Sequence, residues 1–432
     1  MPPGSILLAA ALPLAACAQI PEPVLPAGVG VNIHFTTGHE RDLDLIAAAG
    51  FKFIRMDFHW AGIAREKGFY DWSAYDELAA NLGKRGLRAL YILDYSNPLY
   101  EQPVTSPHPF TGKPHQTTAS PRQHESIAAF ANWAAAAARH FAGRKIIWEI
   151  WNEPNGHFWT PKPDAQQYAA LALATATAVH EADKDATVVG PATAGFPWDF
   201  LETVLKSGVL DHFAGVTVHP YRDYAQSPET AAGDYAKLRE LIDRYASAVR
   251  KGKIPVLSGE WGYATHQGGI SLETQATFAV RQQLANLLNG VPLSIWYDWK
   301  NDGPDPNEKE HNFGTLLPDL KPKPAYQAIQ TLTRKLAGCR IVRRHELESE
   351  SDFVLVLAGA QKQTRLAAWT AGEPHRIALK LESKRSRILP VTMGDGRLAE
   401  ARVQNGDFML NLTAMPQYVT LGKVRLRTGS PR

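Results

Sequence analysis

The chain has 432 residues, of which 44% are hydrophobic and 21% charged, and its formal net charge is +3. This composition is typical of a globular protein, and the length fits one large domain with a smaller companion. The small net charge, and the lack of a stripe of lysine and arginine along the sequence, argue against nucleic acid as a partner.

The first predicted element is an apolar stretch, Ile6 to Ala16, which is followed by Cys17. Its last residues, Leu14-Ala15-Ala16-Cys17, resemble the lipobox of bacterial lipoprotein signal peptides. This resemblance implies an exported protein, periplasmic or tethered to the outer membrane through a lipid on Cys17. The basic residues that open a complete signal peptide are missing, so a disordered alanine-rich tail is the alternative. The only other cysteine is Cys339, and two cysteines are too few for a disulfide framework.

Short apolar runs then alternate with longer amphipathic stretches, which is the pattern of repeated βα units. Eight runs are predicted strands: Gly30 to Phe35, Phe51 to Asp57, Arg88 to Asp94, Lys145 to Trp151, Thr187 to Pro191, Gly215 to His219, Ile254 to Glu260 and Leu293 to Trp299. The stretches with apolar residues at helical spacing include Ala74 to Arg85, Gln123 to His140, Ala165 to Ala182, Ala231 to Arg250 and Leu272 to Leu288. Together they predict an α/β fold, a (β/α)8 TIM barrel, in which functional side chains lie at the carboxyl ends of the strands.

The pattern changes at Gly338, after one more helical stretch that ends at Lys335. The runs that follow are short, β-rich and separated by glycine and polar residues: Phe353 to Leu357, Arg365 to Trp369, His375 to Leu381 and Tyr418 to Leu421. They predict a small C-terminal antiparallel β-sandwich. The predicted domains are therefore a leader over residues 1–19, a barrel over 20–336 and a β-sandwich over 337–432.

Two glutamates follow predicted strands at positions where barrel enzymes place their chemistry. Glu153 follows strand four in Trp148-Glu149-Ile150-Trp151-Asn152-Glu153-Pro154, and Glu260 ends strand seven. A retaining glycosidase needs one carboxylic acid to protonate the leaving oxygen and one carboxylate to attack the anomeric carbon, about 5 to 5.5 Å apart. We predict that Glu153 is the acid and then the base, and that Glu260 is the nucleophile.

Three further residues are candidates for supporting this pair. Arg55, at the end of strand two, can hold Glu260 ionised through a charge-assisted hydrogen bond. Tyr221, just after strand six, can donate its hydroxyl to the same carboxylate. Asn152 can bind the sugar hydroxyl next to the reacting carbon, a contact that strengthens in the transition state.

The residues at these strand ends resemble those of the clan A retaining glycoside hydrolases: arginine after strand two, Asn-Glu at strand four, His-x-Tyr at strand six, glutamate at strand seven and tryptophan at strand eight. The segments most similar to glycoside hydrolase family 39, which includes β-xylosidases and exopolysaccharide hydrolases, are Arg55 to Trp60, Trp148 to Asn155, Pro161 to Asp164 and Lys323 to Tyr326. Family 5 cellulases are the next nearest. The resemblance spans about Gly28 to Leu336 and implies that His219 joins Arg55 and Tyr221 in supporting the site.

The same resemblance implies a tryptophan platform under the sugar at the end of strand eight. Trp296 matches that position, but the sequence offers Trp299 as well, and either could serve. Trp261, next to Glu260, and Trp159 are candidates for lining sugar subsites, because aromatic faces stack on pyranose rings. For Trp60 and Trp198, packing between helix and strand is an equally good interpretation.

His34 and His59 either reach the cleft or are hydrogen-bonded core histidines, and we list His34 as a candidate substrate contact. The spacing of His108, His115 and His311 does not resemble a zinc site, so we expect no catalytic metal and no cofactor.

Three functions fit these residues. The first is a retaining glycosidase that cuts β-linked glycans or oligosaccharides. The second is a carbohydrate-binding lipoprotein without turnover, although the intact Glu153, Glu260, Arg55 and Tyr221 argue against it. The third is a transglycosylase that uses the same residues. The sequence leaves open the sugar, and whether the cleft is a pocket or a groove.

Overall fold

A computed structural model describes residues 20–108, 111–224 and 226–427. The apolar stretch and Cys17 lie outside the described residues. Within them, no helix is both long enough and apolar enough to cross a bilayer.

Eight parallel strands close into a barrel, in the spatial order β1-β8-β7-β6-β5-β4-β3-β2. Their bounds are β1 Val29–Asn32, β2 Phe53–His59, β3 Arg88–Asp94, β4 Ile147–Ile150, β5 Thr187–Ala194, β6 Gly215–His219, β7 Val256–Trp261 and β8 Ser294–Trp296. Each overlaps one predicted strand, so the predicted barrel is confirmed. The first strand is shorter than predicted and ends at Asn32.

Successive side chains along each strand point alternately into and out of the barrel and therefore fill two separate layers, as the pleat requires. Phe53, Ile147, Leu257 and Ile295 belong to a cluster of buried residues inside the barrel. Their neighbours Ile54, Trp148, Val256 and Trp296 belong to the larger core between the barrel and its helices. This alternation decides which strand-end residues can reach the mouth of the barrel.

The helices of the described residues lie outside the barrel, where α1 to α8 connect its strands and α9 follows β8. Their bounds are α1 Glu40–Ala48, α2 Trp60–Ile63, α3 Ser73–Lys84, α4 His124–His140, α5 Ala165–Ala182, α6 Trp198–Lys206, α7 Ala232–Tyr245, α8 Leu272–Leu288 and α9 Pro324–Lys335. Asp164 caps α5, since its carboxylate accepts the N–H groups of Gln166 and Gln167 at 3.0 Å each. Helix α7 ends at Tyr245, five residues before the predicted end, because Ala246 adopts an extended conformation.

After α9 the chain forms antiparallel sheets, in agreement with the predicted fold class. The strands are β9 Arg340–Arg344, β10 Asp352–Ala358, β11 Thr364–Thr370, β12 His375–Lys380, β13 Arg387–Met393, β14 Leu398–Val403, β15 Asp407–Leu412 and β16 Gln417–Gly422. Six of them form one sheet in the order β9-β10-β11-β16-β13-β14, and β12 pairs with β15. We call residues 340–427 the β-domain.

The β-domain shares a core with the barrel. Phe353 and Trp369, which stack at 4.8 Å between ring centroids, belong to the same buried cluster as the barrel helices. Trp369 also donates its indole N–H to Glu229 Oε1 at 2.8 Å. Glu229 lies in the loop between β6 and α7 that carries Tyr221, so the β-domain packs directly against a loop of the barrel mouth.

Candidate active site

Arg55 is the centre of a buried hydrogen-bond network at the carboxyl end of the barrel. Its guanidinium donates to Glu149 Oε2 at 2.7 Å, Glu260 Oε2 at 2.7 Å, Asn152 Oδ1 at 2.8 Å and His219 Nε2 at 3.2 Å. Burial alone would lower the pKa of Arg55, but the carboxylates of Glu149 and Glu260 more than offset this and raise it. A permanent cation therefore orients the ends of strands β4, β6 and β7.

Glu260 receives one donor on each carboxylate oxygen. Arg55 binds Oε2, and the Tyr221 hydroxyl donates to Oε1 at 2.8 Å. The side chain keeps 14% of its surface exposed, whereas Arg55 keeps 1%. The two donors fix the rotamer of a carboxylate that remains accessible from the mouth of the barrel.

Glu153 follows β4 on an unusual backbone path. Both Trp151 and Glu153 have positive φ, at 66° and 45°, a conformation that non-glycine residues adopt rarely. The N–H of Glu153 donates to the carbonyl of Ala192 at 2.9 Å, which holds the turn against β5. Such local strain is found more often at functional sites than elsewhere.

His219 connects the two halves of the site. Its Nε2 faces Arg55, which can only donate, so Nε2 accepts and the ring proton lies on Nδ1. That Nδ1–H donates to Glu153 Oε1 at 2.8 Å. Burial lowers the pKa of His219 to about 4, so the ring is neutral at neutral pH. An acidic proton on Glu153 must then lie on its other oxygen, Oε2.

The two candidate catalytic carboxylates converge from different strands. One carboxylate oxygen of Glu153, one of Glu260 and a ring nitrogen of His219 all lie within 4.8 Å of one another. Inverting glycosidases need about 6.5 to 9.5 Å between their carboxyl groups to admit a water, whereas retaining enzymes need about 5 to 5.5 Å. This separation allows one carboxylate to attack an anomeric carbon while the other protonates the leaving oxygen.

The sequence model of the family described as cellulase (glycosyl hydrolase family 5) matches residues 24–303, the barrel with both glutamates. The chain belongs to glycosyl hydrolase family 5. The predicted resemblance to the clan A glycoside hydrolases is thereby confirmed.

Relatives of this family 5 chain include enzymes of family 39. A family 39 glycoside hydrolase from Bacteroides cellulosilyticus WH2 is 26% identical and superposes with a TM-score of 0.76, covering 94% of this chain and 82% of that chain. A family 39 β-xylosidase from Caulobacter crescentus, 20% identical, shares the fold with a TM-score of 0.65, covering 91% and 95% of the two chains.

A β-xylosidase from Caldicellulosiruptor saccharolyticus is 28% identical over 242 residues, which are 50% of this chain and 48% of that protein. The chain therefore spans about half the length of the curated relative that it matches.

The prediction that Trp296 or Trp299 forms the sugar platform is wrong. The two side chains are 0% and 1% exposed and have no face open to the cleft. Trp296 pairs in register with Trp261, the neighbour of the inward-pointing Glu260, so both tryptophans point away from the barrel interior. Trp299 donates its indole N–H to Asp42 Oδ1 at 3.0 Å, on the outer side of the barrel.

Tyr297, which lies between the two tryptophans, occupies the inner side instead. It is half-buried, and its ring contacts His34 at 5.8 Å and Phe313 at 5.2 Å between centroids. The negative charge of Glu260 is close enough to contribute to a raised pKa of Tyr297, after burial as the main cause. Glu260 points into the barrel, and the pairing of residues between β7 and β8 places Tyr297 on the same inner side. The sequence does not show this pairing, so the sequence could not identify Tyr297.

The prediction that Trp261 and Trp159 line sugar subsites is also wrong. Trp261 is 0% exposed and Trp159 is 1% exposed. Trp159 packs against Trp151 and Tyr168, with centroids 5.0 and 5.8 Å apart, and so fills the core beneath the loop that follows β4.

Two other aromatic residues, Tyr95 and Phe158, are partly exposed in the loops that follow β3 and β4. Their rings stack at 5.5 Å with an angle of 10° between planes. They line a cavity of about 480 Å³ together with His157 and with the hairpin Pro103–Pro107 and Pro114–Thr118. The loop that follows β3 therefore forms one wall of this cavity.

Glu149 also supports the site, and its role was not predicted from the sequence. It is fully buried inside the barrel, and one of its oxygens binds Arg55. Gly259 on β7 makes room for it, because a Cβ there would meet Glu149 Oε1 at 3.0 Å and His219 Nε2 at 3.3 Å. A carboxylate that points into the barrel needs a buried cation as its partner. The inward position of Glu149 could therefore have pointed to Arg55.

His34 lies at the mouth of the barrel with 44% of its side chain exposed, and its Nε2 lies 3.3 Å from Asp298 Oδ2. Burial raises the pKa of Asp298 to about 7. Burial would lower the pKa of His34, but the bond and charge of Asp298 raise it to about 9. The pair lines a cavity of about 230 Å³ with Lys300 and Asp302, so His34 is available to a ligand, and its predicted contact with substrate stays a prediction.

Two sets of side chains in the described residues could hold a metal ion by distance alone: Glu153 with His219 and Glu260, and His34 with Asp298 and Asp302. In the first set, Arg55 already supplies a positive charge to Glu260, and the His219 proton lies on the nitrogen that faces Glu153. This arrangement suits proton transfer. The expectation of no catalytic metal stays a prediction.

Proposed function

We propose that this family 5 chain is a retaining glycoside hydrolase that cleaves β-linked glycans or oligosaccharides through a covalent intermediate. The observation that carries the proposal is the separation of no more than 4.8 Å between a carboxylate oxygen of Glu153 and one of Glu260. Inverting enzymes keep their carboxyl groups about 6.5 to 9.5 Å apart to admit a water, so this shorter approach favours the retaining reaction.

In the first step Glu260 attacks the anomeric carbon and forms a glycosyl ester while the bond from that carbon to the leaving oxygen breaks. Glu153 gives its proton from Oε2 to the leaving oxygen, which departs as an alcohol. In the second step Glu153, now a carboxylate, takes a proton from water. The resulting hydroxide equivalent attacks the same carbon, releases the sugar with its original configuration and frees Glu260.

Charge placement suits the two roles. Burial raises the pKa of Glu153, and the more distant charges of Arg55, His157 and Lys309 oppose this only in part. Glu153 is thereby kept closer to the protonated form that the first step needs. Arg55 and the Tyr221 hydroxyl bind the oxygens of Glu260 and hold it in place for attack.

The substrate class follows from relatives and from the cleft. Two relatives are named β-xylosidases, so β-xylosides are the first substrates to test. The aromatic pair Tyr95 and Phe158 lines a cavity with His157, and the charge of His157 is close enough to Glu153 to lower the pKa of that carboxyl. A departing sugar must lie near Glu153 to receive the proton. We assign that cavity to the leaving group.

The test is a Glu260→Ala variant assayed on aryl β-xylosides and on a panel of plant and bacterial β-glycans. We expect turnover to be abolished, and added azide to restore cleavage with an inverted glycosyl azide as product. Tyr221→Phe is a matched control, because it removes one hydrogen bond to Glu260 and keeps the carboxylate. If Glu260→Ala kept most of its activity on every cleaved substrate, the proposal would be overturned.

We also propose that the protein is exported and carries a lipid on Cys17. The proposal is supported by the apolar stretch that ends in Leu14-Ala15-Ala16-Cys17.

A further inference from the structure

The loops at the two ends of the barrel differ in charge. The eight segments that lead into strands β1–β8, residues 20–28, 49–52, 85–87, 141–146, 183–186, 207–214, 246–255 and 289–293, hold eight lysines and arginines and four acids. The segments that follow the strands on the catalytic side, residues 33–39, 64–72, 95–123, 151–164, 195–197, 220–231, 262–271 and 297–323, hold ten lysines and arginines and thirteen acids. Because parallel strands share one direction, each set lies at one end of the barrel.

Five of the cations at the amino-terminal end have exposed side chains: Arg144, Lys145, Lys184, Lys251 and Lys253. Among the residues that the structure describes, none of the five lies within 4.0 Å of a carboxylate. We call these five residues the basic face. The acids in the same loops, Asp183, Asp185, Asp211 and Glu22, leave the end of the barrel with a positive excess.

Of the remaining three cations of this end, Lys52 is half-buried and the other two are already engaged. Arg85 forms an ion pair with Asp44 at 2.6 Å. Arg250 donates to the carbonyls of Asp211 and Phe213 and braces the loop that carries Lys251 and Lys253. The basic face is thus presented by ordered loops.

Two apolar residues belong to the same end. Ile20, the first described residue, packs against the cluster inside the barrel, and it lines a cavity of about 680 Å³ with Lys184, Arg250 and Lys253. Val249 lies in the loop before β7 and is 74% exposed. The chain therefore enters the fold through the basic face, with an exposed apolar side chain beside it.

We propose that the basic face binds the surface of an anionic lipid bilayer, with the catalytic mouth turned away from it. Lysine and arginine beside a membrane are attracted to anionic headgroups, and the attraction acts only over about a Debye length. The exposed valine beside these cations suits a headgroup layer, which offers both anionic groups and an apolar boundary.

The residues before Ile20 favour this occupant over others. Cys17 lies three residues upstream of Ile20, so any attachment at Cys17 leaves from the same end of the molecule. The basic face does not depend on that attachment. A basic patch would add electrostatic attraction to the anchoring that an attached lipid supplies.

The experiment uses the full chain with Cys17→Ser, which carries no lipid, in co-sedimentation with vesicles. We expect binding to vesicles of phosphatidylglycerol and phosphatidylcholine, little binding to phosphatidylcholine alone, and loss of binding at about 0.5 M NaCl. The triple variant Lys145→Glu, Lys184→Glu, Lys253→Glu is expected to bind at least about tenfold more weakly.

The matched control reverses three exposed lysines of the β-domain, in Lys362→Glu, Lys384→Glu and Lys423→Glu. This control is expected to bind like the parent, and both variants are expected to cleave soluble aryl glycosides at the parental rate. Equal loss in both triple variants would show a net-charge effect and overturn the proposal. So would no binding by the parent, or equally tight binding to soluble polygalacturonate.

Discussion

At the scale of single residues, two glutamates of the site have different surroundings, and this difference suits them to the two proposed roles, acid and nucleophile. Glu153 and Glu260 are both partly exposed glutamates, at 16% and 14% of their side chains. Glu260 is bound by a permanent cation and a hydroxyl donor, whereas Glu153 is bound by a neutral histidine. His219 bridges Arg55 and Glu153. Because its ring is neutral, it places no positive charge next to Glu153, and this suits the proposed acid role.

Glu153→Gln tests the acid role. Substrates with poor leaving groups need the proton, so we expect a loss of about 10²- to 10⁴-fold on xylo-oligosaccharides. Aryl xylosides with acidic phenols need no proton, so their glycosylation step should change far less. Equal losses on both substrate types, measured by pre-steady-state kinetics, would contradict the assignment.

The pH profile tests the same residue. Glu153 must be protonated for glycosylation, so kcat/KM should fall as pH rises through its pKa. Burial raises that pKa, which moves this fall to higher pH than for a solvent-exposed glutamate. For Glu153→Gln, kcat/KM on activated substrates should no longer fall as the pH rises. If the fall persisted, its cause would be another group.

Tyr297→Ala tests the residue that replaces the predicted tryptophan platform. Loss of the ring beside Glu260 should lower kcat/KM by about tenfold or more, since an aromatic contact contributes about 0.5 to 1.5 kcal/mol beyond its buried area. Trp296→Phe is the control, because that side chain lies in the core, and it should affect stability while leaving kcat/KM nearly unchanged. If Trp296→Phe lowered kcat/KM and Tyr297→Ala did not, Trp296 would be the platform instead.

At the scale of elements, the loop between β6 and α7 links the site to the β-domain. It carries Tyr221 near its start and Glu229 near its end. Glu229 binds Arg281 on α8 through both oxygens, at 2.8 and 2.7 Å, and accepts the indole N–H of Trp369. Burial alone would raise the pKa of Glu229, but the bond and charge of Arg281 lower it. The β-domain therefore fixes one end of the loop that presents Tyr221.

Trp369→Ala tests this link. It removes a fully buried indole from the shared core and one hydrogen bond from Glu229, so the free energy of unfolding should fall by about 3 to 5 kcal/mol. Urea unfolding followed by tryptophan fluorescence and circular dichroism measures it. Leu398→Ala is the control, because Leu398 is 79% exposed and should change stability by less than about 0.5 kcal/mol. If the free energy of unfolding of Trp369→Ala fell by a similarly small amount, the barrel and the β-domain would be independent of each other.

At the scale of the whole molecule, the direction of the barrel places the candidate active site and the proposed attachment at opposite ends. The candidate catalytic residues lie at the carboxyl ends of the strands, whereas Ile20 and the basic face lie at the amino ends. A protein tethered through Cys17 would therefore present its cleft away from the tether.

Cys17→Ala tests export with lipid attachment. In cells that express the full chain and are fed labelled palmitate, the parent should incorporate label and stay with the membranes in about 0.5 M NaCl, which screens the basic face, and the variant should do neither. Cys339→Ala is the control, since Cys339 is the other cysteine and is buried. Incorporation of label into Cys17→Ala would contradict the proposal.

The sequence by itself determined the barrel, because hydrophobic periodicity and strand length are local properties that survive in a single chain. It also pointed to Glu153, Glu260, Arg55, Asn152 and Tyr221, because polar residues at the ends of apolar runs must lie at strand ends, and the resemblance to the clan A glycoside hydrolases added His219. These residues do meet in one network, although their catalytic roles stay predictions until the variants are measured.

Only the tertiary structure decided which aromatic residue faces the cleft and where the cations gather. A shift of one residue in register turns a strand side chain from the barrel interior to the helical layer, and this is why Tyr297 replaces Trp296. Cations dispersed over separate loops leave no basic run in the sequence, and only the common direction of the strands brings them onto one end of the barrel.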